Sequence, residues 1–178
     1  MGTCIRLKRE VPHRAVMTRI SWSGRLAIGQ SAVEFALVVP IFLILVFGVM
    51  DFGRLLFVQE NIQEAVDVGA RYGSTGNHQS GTDPTTGQPY TRVASIDNDI
   101  EQLASVSTSM GTTLSIQISS VLGGAGNAGG PQDLETISVT ATVPVMTPLI
   151  SRFFPKGQFT FTSSATIKNE PFPPSQTK

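Results

Sequence analysis

One cysteine, Cys4, stands among 178 residues, so no disulfide can close within a chain and no cysteine-built metal centre is available. Histidine is nearly as scarce, with two copies, His13 and His78. Beyond residue 30 only His78 and scattered acids could act as a catalytic base, and no nucleophile–base–orienter set is discernible. That argues against an enzyme, and no cofactor motif is present. The glycine-rich stretch 123–131, "GGAGNAGGP", lacks the lysine and hydroxyl of a phosphate loop and reads as a flexible connection. Charge is also missing along residues 35–50, "FALVVPIFLILVFGVM", where sixteen consecutive positions hold no acid or base.

The formal net charge of zero conceals an asymmetry. Through Gly29 there are six basic residues (Arg6, Lys8, Arg9, Arg14, Arg19, Arg25) against one acid, Glu10; the remainder carries seven basic and twelve acidic residues. The head has neither the aromatic interleaving nor the helix-turn-helix pattern of a nucleic-acid binder, so no nucleic acid is expected as a partner. A basic head, an apolar run and an acidic body suit a single membrane pass with the head in the cytoplasm. As a helix, residues 35–50 would be about 24 Å long, a little short of the ~30 Å hydrocarbon core. Ala32, Val33 and residues 52–58 make up the difference, with Arg54 snorkelling from the far end. A cleaved signal peptide would need a small-residue site after the run, whereas Asp51 and a continuing helical pattern follow. A core helix apolar on every side would need a larger protein around it. Pro40 removes one backbone donor and predicts a kink, and Ala32 with Ala36 offers a small face for helix approach.

At the mouth of this run, "GQSAVEF" (residues 29–35) places a carboxylate, Glu34. At the bilayer centre a charged side chain costs roughly 2.5–3.5 kcal/mol on insertion scales, and less near the interface. Were the chain cut after Gly29, Gln30 would become the N-terminus, with an α-amine of pKa about 7.7–8.0 and mostly protonated. Gln30 and Glu34 are then i and i+4 on one face, or can pair between neighbouring chains, and either arrangement lowers the cost of burying the acid.

These residues resemble the cleavage motif of type IV prepilins, with Gly29 at the cut and Glu34 fifth in the mature chain. Phe35 supplies the Glu-Phe pair of the tight-adherence (Flp) branch. Over about 45 residues the sequence is similar to the TadE-like family of pilus-assembly proteins: Val33 to Ala36, Pro40, Asp51 to Arg54, and Gly69 to Arg71 fit its pattern. Ile28 stands before Gly29, where the prepilin pattern favours a basic residue. The resemblance implies a prepilin peptidase as processing partner, and other pilins and pilus-assembly or secretion components as neighbours. It implies the bacterial cytoplasmic membrane as location, with the C-terminal domain outside. Gly29 and Gln30 are the expected processing residues and Glu34 and Phe35 the assembly residues. Ala36, Pro40, Gly48, Asp51 and Arg54 are the marked positions of the membrane helix. No catalytic or metal residues and no cofactor are implied.

Past the membrane, Phe52, Leu55, Leu56, Gln59, Ile62, Val66 and Gly69 or Ala70 recur at three- and four-residue steps, predicting an amphipathic extension to residue 72 covered by the outer domain. "GSTG" (73–76) ends it, and 73–94 reads as a loop. Ser95 is positioned to cap a helix through about Met110. Three strands alternate: Leu114–Ile116–Ile118, then Ile137–Val139–Ala141–Val143–Val145, then Phe159–Phe161–Ser163–Ala165–Ile167. The expected class is α+β: a leader (1–29), a membrane helix with its extension (30–72), a loop (73–94), an α+β domain with a three-stranded antiparallel sheet (95–169) and a disordered tail (170–178). The expected function is a minor pilin or assembly protein cut after Gly29. The alternative is an uncut single-pass anchor whose outer domain binds an envelope or secreted partner.

Overall fold

A computed structural model describes the backbone of residues 23–173 and the side chains of 29–173. Cys4, the leader residues before Ser23 and tail residues 174–178 lie outside the described residues. The chain forms two compact units, Met1–Pro40 and Ile41–Lys178. Residues of both belong to α1 (Ser23–Ser74), a 52-residue helix that contains Pro40. In the first unit nearly every described side chain is exposed.

The second unit is built around the last turns of α1. Val58, Ile62, Ala65, Val66 and Ala70 are buried in one core with Ile96, Ile100, Ile118, Ile137, Val139 and Val143. Of the expected stripe, Ile62, Val66, Gly69 and Ala70 face in; Val58 and Ala65 join them, while Phe52, Leu56 and Gln59 face out. The extension is covered by its own domain, as the apolar stripe requires.

A helix follows at α2 (Arg92–Leu103), starting three residues before the expected cap. Thr91 is the N-cap, its hydroxyl accepting from Ala94 N at 3.1 Å. Ser95 lies inside the helix, donating to Thr91 O at 2.7 Å and accepting from Gln79 N at 2.9 Å. Ala104 breaks the expected 95–110 helix into α2 and a short α3 (Ser105–Ser109).

The sheet has four antiparallel strands rather than three, in the order β2-β1-β3-β4: β1 (Thr113–Ser120), β2 (Gly124–Ala125), β3 (Leu134–Pro144) and β4 (Gln158–Lys168). The added strand is a two-residue pairing of the glycine-rich stretch with Ser119 and Ser120. On β3, Ile137, Val139, Ala141 and Val143 face the core, while Thr136, Thr140 and Thr142 turn outward to meet Thr166, Thr162 and Thr160 of β4 through hydroxyl contacts of 2.9–3.3 Å. Pro144 is the last residue of β3, where a missing donor costs least. A one-turn helix α4 (Pro148–Ser151) and a 3₁₀ turn (Pro155–Gly157) connect β3 to β4.

The stretch 170–178, expected as a disordered tail, is described to Pro173. Within it Glu170 N donates to Ser74 O at 2.8 Å and Phe172 is only 7% exposed.

Candidate functional site

In the first unit, Gly29 and Gln30 are exposed and lie inside α1, so the expected scissile peptide is helical. A Cβ added to Gly29 would meet nothing within 4 Å, so packing does not demand glycine there. Glu34 is exposed, and Gln30 Nε2 donates to Glu34 Oε1 at 3.1 Å, the i, i+4 geometry expected of one face. The acid's partner in the intact chain is therefore a neutral amide. Phe35, Ala36 and Pro40 are exposed.

In the second unit, Gly48, Asp51 and Arg54 occupy successive turns of α1 and fasten the β3–β4 connection. The Asp51 carboxylate accepts from Met146 N at 3.3 Å and from Thr147 N at 2.9 Å. Arg54 donates to Pro144 O at 2.8 Å and also to Met110 O. Its guanidinium thus ties the end of β3 and the end of α3 to the helix, in place of the expected snorkelling towards headgroups. Gly48 gives the connection room: a Cβ there would stand 3.2 Å from Ile150 Cδ1. Two charges at the end of an apolar run would fit solvation equally well from sequence, and only the tertiary structure reveals the backbone groups that they serve.

At the far end of α1, small residues admit α2. A Cβ on Gly69 would come within 2.6 Å of Ile100 Cγ1, and one on Gly73 within 2.8 Å of Ile96 Cδ1.

A buried cluster escaped the sequence reading. Arg92, at the start of α2, pairs with Glu135 of β3 at 2.9 Å, with side chains 2% and 0% exposed. The guanidinium also donates to Gly129 O at 2.6 Å and Ala128 O at 2.5 Å, and lies 5.0 Å from the Phe172 ring centroid. Burial pushes the Glu135 carboxyl up, and Arg92 opposes that shift. The available signal was parity: Glu135 shares the inward register of Ile137 and Val139, which requires a buried cation opposite.

The connection between α1 and α2, residues 75–91 rather than the expected 73–94, is organised by Asp83, whose carboxylate accepts from Thr85 N and Thr86 Oγ1, both at 2.8 Å. Among the described residues no group of three or more His, Cys, Asp or Glu is placed to hold a metal ion.

Residues 29–71 match the family model described as TadE-like protein. That segment is similar to the TadE-like family. The TadE-like segment opens at Gly29 and closes at Arg71, inside α1, and includes the Asp51 and Arg54 clamp and the small residues at 69 and 70. The match supports a protein associated with a tight-adherence pilus system. α1 is long and apolar enough to cross a membrane once. Comparison with curated proteins and with solved structures finds no match.

Proposed function

We propose that the protein is a minor pilin or pilus-assembly component of a tight-adherence system, held by α1 in the bacterial cytoplasmic membrane. Its basic leader is cytoplasmic and its α+β domain lies outside. A prepilin peptidase removes residues 1–29, and the new α-amine of Gln30 pairs with Glu34 of the same or a neighbouring chain. Assembly partners are other pilins and secretion components, met through Glu34, Phe35 and the exposed apolar face.

The observation carrying this reading is Gly29. A glycine inside a helix costs about 1 kcal/mol relative to alanine, and no neighbour within 4 Å of its Cβ position calls for it. A peptidase that selects glycine accounts for it, at the first residue of the TadE-like match.

The test is N-terminal sequencing of the membrane form from cells with an active prepilin peptidase. Gln30 is the expected first residue, and Gly29→Ala is expected to retain the leader. Glu34→Ala should still be cut but assemble poorly. A chain that keeps its leader beside an active peptidase overturns the reading.

Two observations favour an uncut anchor instead. The scissile bond lies within α1, and Glu34 already has a partner in the Gln30 amide. In that case the outer domain is a tethered binding module, and the same sequencing decides between the two.

A further inference from the structure

The connection between β3 and β4, residues 145–157, has an unusual surface for a water-facing loop. Phe153 is 83% exposed, Met146 72% and Leu149 46%. These three large apolar side chains fall within eight residues. Arg152 and Lys156, both exposed, add positive charge beside them.

Its position along α1 gives that surface a meaning. Asp51 holds the backbone N–H groups of Met146 and Thr147, and Ile150 rests against Gly48. The loop therefore sits level with residues 48–51, where the charge-free run ends at Asp51. At that level the helix itself presents exposed Val49 and Met50. Phe47 and Met50 of the helix and Met146 of the loop line one largely apolar hollow, so the medium that surrounds the helix there also meets the loop.

We propose that residues 146–156 are a second membrane contact. Met146, Leu149 and Phe153 enter the interface of the leaflet into which the end of the run emerges, and Arg152 and Lys156 meet anionic phospholipid headgroups. This rests on reading α1 as the membrane span. The chemistry is that of an interfacial segment: apolar side chains reach the acyl boundary while basic groups remain at headgroup level. A solvated loop would leave these side chains in water beside the span. A loop docked on the lipid covers them and fixes the outer domain against the membrane plane.

The test uses the full chain in vesicles of mixed zwitterionic and anionic phospholipid. In a Cys4→Ser background, single cysteines replace Phe153, Leu122 or Leu45 and carry an environment-sensitive fluorophore. Leu122 is 84% exposed in the β1–β2 turn and reports water, and Leu45 reports the span. The Phe153 label is expected to be quenched by shallow doxyl-labelled lipid and several-fold less by aqueous iodide than the Leu122 label. Arg152→Gln with Lys156→Gln should reduce the lipid quenching in anionic vesicles and leave it unchanged in zwitterionic ones. Iodide quenching at Phe153 equal to that at Leu122, with Leu45 protected, overturns the proposal and leaves the span standing. Protection of Phe153 from both quenchers also overturns it, in favour of a protein neighbour. Iodide access at Leu45 removes the span, and the proposal with it.

Discussion

Glycine at position 69 is a packing choice. Its missing Cβ leaves the space that Ile100 fills, so α1 and α2 approach closely. Gly69→Ala should improve local helix propensity yet destabilise the domain by about 1–3 kcal/mol, because the buried isoleucine has no free space to move into. Gly53→Ala, with nothing within 4 Å of its Cβ position, is the control and should be neutral or slightly stabilising. Calorimetry of the detergent-solubilised protein separates the two. Asp97 carries a different strain. Burial, aided by Glu101 one turn along, pushes its carboxyl up to about 6. The folded chain therefore holds this proton more tightly than the unfolded chain. The charge costs nothing below the ordinary carboxylate value of 3.8, costs progressively more as pH rises, and costs its full amount above about 6. Asp97→Asn should raise the unfolding midpoint at neutral pH and change it little near pH 4. With screening at this partly exposed site allowed for, the neutral-pH gain is about 1 kcal/mol.

At the level of elements, the junction between the apolar run and the outer domain depends on two polar residues of α1. Asp51 caps two backbone N–H groups at the start of the β3–β4 connection, and Arg54 reaches carbonyls at the ends of β3 and α3. Neither is a helix-stabilising device. Each converts a turn of α1 into an attachment point for chain about 60 to 100 residues away. Asp51→Ala should free Met146 and Thr147, raising their amide exchange several-fold while Ile137 to Ala141 of β3 stay protected. Equal exchange in mutant and native protein would show that the clamp contributes nothing to local order.

Across the whole molecule, the Arg92–Glu135 pair joins parts that chain connectivity leaves apart. Through it and its neighbours, α2, β3, the 128–129 turn and Phe172 converge on one guanidinium. Removing one partner of a buried pair costs roughly 3–5 kcal/mol, because the remaining charge stays in low dielectric. Glu135→Ala should therefore unfold the domain at markedly lower temperature and loosen the Phe172 segment, read as protease cleavage after residue 168. Glu135→Gln keeps an acceptor for Arg92 and should lose less. An equal loss in both variants would assign the effect to the charge alone, because glutamine keeps the volume and an acceptor of glutamate.

Period and composition alone determined much of this protein. A sixteen-residue run without charge can only be a helix in lipid or deeply buried, and strict alternation can only be a half-buried strand, so the α+β class and three strand cores were legible. The contact between Gln30 and Glu34 was legible for the same reason, since both partners are local in the chain. The four-residue reach from Gln30 to Glu34 needs no tertiary information. What only the tertiary structure decided involves long-range partners. The inward face of the helical extension was set by which side α2 and the sheet cover, which put Val58 and Ala65 inside in place of Phe52 and Leu56. The roles of Asp51, Arg54, Arg92 and Glu135 depend on backbone and charges 36 to 96 residues distant. Local periodicity carries no record of such partners, because the free energy that selects them arises only when the chain has closed around them.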